Sequence, residues 1–218
     1  MGWLMRFLIT AGPTREPLDP VRYLSNRSSG KMGYALAAAA SDAGHEVVLV
    51  AGPTALPDPR GASVVPVVTA AEMHAAVMAA LPEVEVAIFA AAVADYRPQH
   101  AAGQKLKKSS ETLTLVLERT PDILGGVRAT GFRGVLVGFA AETENLMANA
   151  TAKLTRKRCD LIVANDVSGV ETGFDVDENE VVLVFATGEI RTLPRASKTA
   201  LAKILVGVVE ELMVRSGT

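Results

Sequence analysis

The sequence has few cysteines, few aromatic residues and no long apolar run, and each shortage excludes a class of protein. A single cysteine, Cys159, among 218 residues excludes a disulfide within the chain and fits a reducing compartment. No run reaches the ~20 apolar residues of a membrane-spanning helix, and the short apolar start is unlike a signal peptide. We therefore expect a cytoplasmic protein that does not enter membranes.

An excess of charge of either sign is also missing. The formal net charge is −2, so the chain has no general attraction to nucleic acid. Aromatic residues make up 5% of the chain and hydrophobic residues 49%. The core must therefore consist of Val, Leu, Ile and Ala, which is typical of a parallel sheet covered by helices.

Short apolar runs alternate with segments of helical periodicity through most of the chain. Strands are predicted at residues 6–11, 45–51, 64–68, 85–92, 113–117, 134–140 and 161–164, with a hairpin at 179–185 and 189–193. Helices are predicted at residues 30–43, 70–81, 142–158 and 197–213, with a further one opening at Thr120, and residues 97–112 are predicted to form a mobile loop. The fold class is therefore α/β: one Rossmann-like domain over residues 1–218, with a mostly parallel sheet, flanking helices and an antiparallel extension.

Two common nucleotide-binding motifs are absent. The first predicted strand is followed by Gly12-Pro13-Thr14 instead of Gly-x-Gly-x-x-Gly, and the second lacks the acidic residue that binds a ribose. Gly30-Lys31 is followed by Met32, which does not complete a P-loop. These absences count against a dinucleotide oxidoreductase and against a P-loop enzyme.

A hydroxyl-rich loop over residues 25–33 runs directly into a predicted helix. Serine hydroxyls, free backbone N–H groups and Lys31 at a helix start can bind a phosphate or a carboxylate. Simple capping of the helix by Ser28 or Ser29 is the structural alternative. Capping explains one serine but not two serines beside Asn26, so we favour anion binding.

Lysines occur in two further groups. Residues 105–108 carry three lysines in a polar loop, which indicates either a solvated surface or a lid over a triphosphate. Lys153 and Lys157 lie four residues apart on a predicted helix, so both can reach one anion. Their position near the helix C-terminus also has a purely structural explanation, because cations there interact favourably with the helix dipole.

Taken together, these segments resemble phosphopantothenoylcysteine synthetase of the bacterial type. The resemblance covers about residues 10–212 and rests on segments that occur in a fixed order. They are GPTREPLDPVRY (12–23), SNRSSGKMG (25–33), AAVADY (91–96), KLKK (105–108), PDI (121–123), GFAAET (138–143) and AND (164–166). Each segment alone is weakly specific, whereas the ordered set is highly specific.

The resemblance implies a ligase reaction in coenzyme A biosynthesis. The carboxylate of 4′-phosphopantothenate would attack the α-phosphorus of CTP, and the amine of L-cysteine would then displace CMP from the acyl-cytidylate. It implies that Lys105 stabilises charge in the first step and that Asn26 handles the acyl-cytidylate. Base selectivity cannot be read from the residues themselves, so CTP rather than ATP follows from the resemblance alone.

The resemblance also implies a set of ligand contacts. The nucleotide contacts are Phe89, Ala90, Ala91, Asp95, Lys105, Pro121, Asp122, Ile123, Leu124, Phe139, Lys153 and Lys157. Arg22, Ser28, Ser29 and Gly30 are candidates for the phosphate of the acid substrate. Mg²⁺ is expected with the triphosphate, because it prefers phosphate oxygens and few protein ligands, and Asp95 either holds it or orients the loop.

The family is homodimeric, and residues 113–117 and the hairpin are candidate contact surfaces because edge strands invite pairing. Bacterial relatives are usually fused to a flavin-dependent decarboxylase, which we expect as a separate or fused partner. Two other functions stay open: an NAD(P)-dependent oxidoreductase and a non-catalytic nucleotide-binding protein.

Overall fold

The computed structural model describes residues 4–107, 111–142, 144–166 and 178–216. The strands are β1 (Arg6–Ala11), β2 (Arg15–Pro17), β3 (Tyr23–Ser25), β4 (Glu46–Ala51), β5 (Ala62–Pro66), β6 (Val86–Phe89), β7 (Tyr96–Pro98), β8 (Leu117–Arg119), β9 (Val135–Glu142), β10 (Leu161–Asp166), β11 (Glu178–Phe185) and β12 (Ile190–Ser197). The helices are α1 (Lys31–Asp42), α2 (Ala70–Ala80), α3 (Ile123–Gly126), α4 (Leu146–Lys157) and α5 (Lys198–Ser216).

Eight strands form one sheet in the order β12-β11-β10-β9-β6-β1-β4-β5. The six strands from β10 to β5 are parallel, whereas β11 and β12 add to the β10 edge in antiparallel orientation. Two short ribbons, β2–β3 and β7–β8, stand apart from this sheet. The predicted α/β class with its antiparallel extension is confirmed.

Apolar side chains cover both faces of the sheet. Phe7 and Ile9 of β1 belong to one core, which α1 and α5 cover. Leu8, between them, belongs to the other core, which residues of α2, α3 and α4 cover. Successive side chains of a strand point to opposite faces, so a continuous apolar run such as β1 indicates a strand that is buried on both sides. None of the described helices combines the length and the apolar character that crossing a membrane requires.

Glycine allows α1 to lie unusually close to β1. A Cβ atom on Gly33 would lie 2.5 Å from the Cβ atom of Ala11, so no other residue fits without displacement. Gly30, the residue that precedes the helix, has a φ of 76°, a left-handed conformation that glycine adopts at little cost. The structure therefore has no serine at the N-cap position of α1, which was the structural alternative for this loop.

Four predicted boundaries are wrong. The strand predicted at residues 85–92 ends at Phe89, where its pairing with both β1 and β9 stops; beyond it Ala92 forms only an isolated bridge with Pro13. The helix predicted from residue 142 begins at Leu146, since β9 stays paired with β10 as far as Glu142 and Asn145 turns the chain with a φ of 52°.

The other two corrections concern residues 113–122. The exposed strand predicted at 113–117 is β8 instead, which pairs with β7 from Leu117 onwards. The helix predicted to open at Thr120 begins at Ile123, and its cap is Asp122, whose side chain accepts from the N–H of Gly125 at 3.0 Å. Thr120 lies two residues before this cap, and its hydroxyl donates to the carbonyl of Ala94 at 2.6 Å.

Candidate functional site

A cavity of about 730 Å³ opens beyond the carboxyl ends of β1, β6 and β9, between α3 and α4. This is the edge at which ligands bind in open α/β sheets. Its walls carry Phe89 from β6, Phe139 from β9 and Thr10 from β1. The Thr10 hydroxyl accepts from the N–H of Ala91 at 3.2 Å, which fixes the backbone that leaves β6.

Two lysines of α4 line the cavity and are held by nearby acceptors. Lys153 Nζ donates to the carbonyl of Phe139 at 2.6 Å. Burial lowers the pKa of Lys153, while Glu142 acts against that shift and Lys157 adds to it. Lys157 forms an ion pair with Asp122 on the opposite wall. The spacing of four residues therefore places both ammonium groups on the cavity side of α4, as the sequence predicts.

Asp122 combines two tasks at the start of α3. One carboxylate oxygen accepts from Gly125 N, and the other pairs with Lys157. Burial is the largest single influence and acts to raise the pKa of Asp122. The hydrogen bonds from Lys157 and Gly125 N, together with the charges of Lys157 and Arg156, outweigh it, so the pKa lies below its usual range. Asp122 is thus an anion that partly neutralises Lys157.

Asn26 follows β3 and reaches the loop after β6. Its Nδ2 atom donates to the carbonyl of Val93 at 3.0 Å and to that of Ala92 at 3.4 Å. Val93 is itself a wall residue of the large cavity. Two residues further on, Ser28 and Ser29 line a second cavity of about 420 Å³, together with Arg15. Asn26 therefore contacts a wall residue of the large cavity and lies two residues before the serines of the second cavity.

Arg22 forms an ion pair with Asp19. Its Nη2 atom lies 2.6 Å from Asp19 Oδ2 and also donates to the carbonyl of Leu106 at 2.9 Å. Nη1 is not part of these bonds, so the predicted contact of Arg22 with a substrate phosphate stays a prediction. The bonds to Leu106 hold the segment that carries the exposed side chain of Lys105.

Comparison with known proteins identifies the family. A family model described as DNA/pantothenate metabolism flavoprotein C-terminal domain matches residues 4–213. The chain belongs to this family. The relatives include the coenzyme A biosynthesis bifunctional protein CoaBC of Vibrio cholerae, 49% identical over 211 residues that cover 95% of this chain and 53% of that protein. The corresponding CoaBC of Escherichia coli is 47% identical over 215 residues, with 97% and 52% covered.

The chain spans about half the length of these curated relatives. A crystal structure of the C-terminal domain of CoaBC is similar to it, with a TM-score of 0.83, 41% identity and coverage of 97% of this chain and 96% of that chain. A Cab2 variant in complex with phosphopantothenate-cysteine shares the fold at 17% identity, with a TM-score of 0.75 and coverage of 98% and 89%. The family resemblance read from the sequence is confirmed.

Ten of the twelve nucleotide contacts that the family resemblance implies line the large cavity. They are Phe89, Ala91, Asp95, Pro121, Asp122, Ile123, Leu124, Phe139, Lys153 and Lys157. Ala90 and Lys105 do not line it. Of the motif residues, Lys108 and Thr143 lie outside the described residues, and so does the side chain of Asp166. The binding roles of all these residues stay predictions.

Sequence reasoning missed several polar residues of the cavity wall, among them Arg119, Glu142, Asn149 and Arg156. Asn149 Nδ2 donates to Glu142 Oε2 at 2.8 Å, which joins the end of β9 to α4. The spacing of Asn149, Lys153 and Arg156, four and then three residues apart on one helix, is the signal that could have found two of them.

Few acidic groups in this site could hold a metal ion. Among the described residues there is no group of three or more His, Cys, Asp or Glu side chains arranged to bind one. Asp95 is exposed and lies on the wall of the large cavity. A cation held mainly by phosphate oxygens fits this arrangement, because Mg²⁺ often takes only one or two protein carboxylates.

Proposed function

We propose that this chain is a ligase that joins 4′-phosphopantothenate to L-cysteine with the consumption of CTP. One observation carries the proposal: Asn26 bonds the wall of the large cavity, and the serines that follow it line the second cavity. Two substrates bound in these cavities would meet at Asn26. The names of the CoaBC relatives, which refer to coenzyme A biosynthesis, support the same pathway.

The large cavity suits the nucleotide. Phe139 and the backbone of residues 121–124 offer a face and polar groups to a base and a ribose, and Lys153 and Lys157 offer charge to the phosphates. The carboxylate of the acid would attack the α-phosphorus, and pyrophosphate would leave with the former P–O bond electrons. Lys105, on the segment beside the site, would stabilise the charge that develops at phosphorus.

The second cavity suits the phosphate of the acid substrate. Ser28, Ser29 and Arg15 line it, and a phosphate prefers hydroxyls, N–H groups and an arginine. In the second half of the reaction the cysteine amine would attack the acyl carbon, CMP would leave, and the amine proton would pass to solvent. The Asn26 amide can donate to the acyl oxygen without competing as a nucleophile.

Mg²⁺ is proposed to accompany CTP, with Asp95 as its candidate protein ligand, and it would neutralise charge on the phosphates. We also propose a homodimer. Leu113 and Val116 are exposed by 61% and 65%, and apolar side chains this exposed mark association surfaces when they are contiguous. A decarboxylase, fused or separate, is the proposed partner that would consume the product.

The test is a set of single-turnover and multiple-turnover assays on the 218-residue chain. We expect CMP and pyrophosphate release from CTP and Mg²⁺ to require phosphopantothenate, and repeated turnover to require cysteine as well. Lys105→Ala should lose pyrophosphate release by about 100-fold or more, the range for removing one group that stabilises a transition-state charge. Asn26→Ala should still release pyrophosphate but accumulate the acyl-cytidylate.

Lys203→Ala is the matched control, since Lys203 is an exposed lysine of α5 on the other face of the sheet. Equal loss of the first step in the Lys105 and Asn26 variants would refute the division of labour. Hydride transfer to or from a nicotinamide dinucleotide, without nucleotide cleavage, would overturn the ligase in favour of an oxidoreductase. CTP binding without any turnover would favour a non-catalytic nucleotide-binding protein.

A further inference from the structure

A buried carboxylate organises the turn between β2 and β3. The side chain of Asp19 is inaccessible to solvent. Its Oδ1 atom accepts from the backbone N–H groups of Val21 and Arg22, both at 2.8 Å. Its Oδ2 atom accepts from Arg22 Nη2 at 2.6 Å and from Arg22 Nε at 3.0 Å. A buried carboxylate is tolerated only when such donors surround it.

The same two side chains hold a segment more than 80 residues away in sequence. Leu106 N donates to Asp19 Oδ2 at 3.1 Å, and the Leu106 carbonyl accepts from Arg22 Nη2 at 2.9 Å. The backbone of Leu106 is thus bonded on both its N–H and its C=O. A third bond, from Ala102 N to the carbonyl of Leu18 at 2.9 Å, attaches the chain four residues earlier.

This attachment brings together the two segments to which the proposed reaction assigns chemistry. Lys105 immediately precedes Leu106, and its side chain is exposed. The β2–β3 ribbon continues directly into Asn26. The described structure therefore ties the backbone next to Lys105 to the ribbon that leads to Asn26, while it leaves the Lys105 side chain accessible.

Asp19 is ionised at neutral pH. The hydrogen bond from Arg22 is the largest influence and holds the pKa of Asp19 well below its usual range; burial acts in the opposite direction, and backbone N–H groups add to the lowering. Changes of pH near neutrality therefore leave the charge that forms the attachment in place.

We infer that Asp19 is a positioning residue for Lys105: through the backbone of Leu106 it fixes the lysine segment against the β2–β3 ribbon. The inference rests on the proposed role of Lys105 in pyrophosphate release. A lysine on an unattached loop would have to be ordered in each catalytic cycle, and this ordering costs conformational entropy. Misplacement of a catalytic group by a small distance lowers the rate by up to about 100-fold.

The experiment measures Asp19→Asn, which keeps the shape of the side chain and removes its charge. We expect faster hydrogen exchange at the Leu106 amide and a fall of about 10- to 100-fold in the rate constant of pyrophosphate release, with the Kd for CTP within about twofold of its original value. In a Lys105→Ala background, Asp19→Asn should lower the remaining rate by less than about twofold, because its effect acts through Lys105.

Glu118→Gln is the matched control. Glu118 is also an acid paired with an arginine, Arg97, at 2.7 Å, and it lies in the neighbouring β7–β8 ribbon without a bond to Leu106. We expect that variant to leave Leu106 exchange and pyrophosphate release unchanged. Leu106→Pro serves as a second variant if Asp19→Asn does not fold, because proline lacks the N–H that donates to Asp19, and it should slow pyrophosphate release at least as much.

Three outcomes would overturn the inference. Unchanged exchange at Leu106 would mean that other contacts hold the segment. An Asp19→Asn loss of equal size in the Lys105→Ala background would mean that Asp19 acts independently of Lys105. Faster pyrophosphate release in Asp19→Asn would mean that the attachment holds Lys105 away from its catalytic position. Failure of the proposed function is a separate result, since the original chain would then release no pyrophosphate while Leu106 exchange would still respond to Asp19.

Discussion

The two cavities at this edge of the sheet are built by different means. The large cavity depends on charged side chains, since Lys153 donates to a strand carbonyl and Lys157 pairs with Asp122. The loops around the second cavity depend on close approach of backbones. A Cβ atom on Gly52 would lie 1.9 Å from the carbonyl oxygen of Pro13, and one on Gly12 would lie 2.9 Å from that of Gly52.

We call the large cavity the charged half of the site and the closely packed backbone around the second cavity the glycine-built half. The difference predicts whether a substitution in each half should change ligand binding or folding stability. Removing a charge from the large cavity should weaken ligand binding while the protein stays folded, because these side chains are at the edge of the core. Adding a methyl group to the glycine-built half should lower stability first, because close-packed backbone has no room to adjust.

The largest expected effect is on the charged half. Lys153→Met keeps the length of the side chain and removes the ammonium group. A hydrogen bond to a charged group contributes about 1.5–3 kcal/mol, so the Kd for CTP should rise by roughly 10- to 100-fold, as measured by calorimetry. Lys203→Met on α5 should leave it unchanged. A loss of folding stability equal to the loss of binding would contradict the assignment.

Gly33→Ala tests the close packing in the glycine-built half. Gly33 lies in the first turn of α1, which follows Ser28 and Ser29, and it packs against β1. The new Cβ atom would lie 2.5 Å from the Cβ atom of Ala11, and overpacking of this kind costs about 1–3 kcal/mol. Urea unfolding should show that loss. Gly207→Ala in α5 is the control: its Cβ atom would meet nothing within 4 Å, so it should gain up to about 1 kcal/mol from helix propensity. Equal stabilities for the two variants would mean that α1 can move away from β1.

Much of this architecture follows from local sequence. The apolar run of β1 predicts a buried strand, and the spacing of Lys153 and Lys157 predicts two cations on one face of a helix; the structure has both. The sequence also indicates two helix caps. Thr69, before α2, accepts from Glu72 N at 3.2 Å, and the hydroxyl of Ser197, before α5, accepts from Ala200 N at 3.2 Å.

Non-local contacts could not be read in the same way. Nothing near Asp19 in the sequence indicates that it meets Leu106, because that contact joins two loops through the fold. The start of α4 was misplaced because Asn145 takes a left-handed conformation after a strand that continues to Glu142, whereas helical spacing alone runs through both residues. Family resemblance named ten residues that line the large cavity, and only the structure shows how they are connected.

The smallest expected effect is a dependence of CTP affinity on pH, which arises from Lys153 in the charged half. Burial lowers the pKa of Lys153, with Lys157 and Arg156 acting in the same direction and Glu142 against it. Rising pH should therefore discharge Lys153 before an ordinary lysine, and CTP affinity should fall in that window. The phosphates stay fully ionised there, since their last ionisation lies near pH 6. Lys153 is only partly discharged in that window, so we expect a fall of no more than about fivefold, or about 1 kcal/mol, which is smaller than the loss in Lys153→Met.

Lys153→Arg separates this lysine from its neighbours, because an arginine stays charged throughout the range. That variant should bind CTP with an affinity that no longer declines between neutral pH and the ordinary lysine range, as calorimetry at several pH values would show. Cys159, the adjacent thiol, does not confuse the result: burial raises its pKa to about 12, so it stays protonated. A decline that persists in Lys153→Arg would assign the titration to a group other than Lys153.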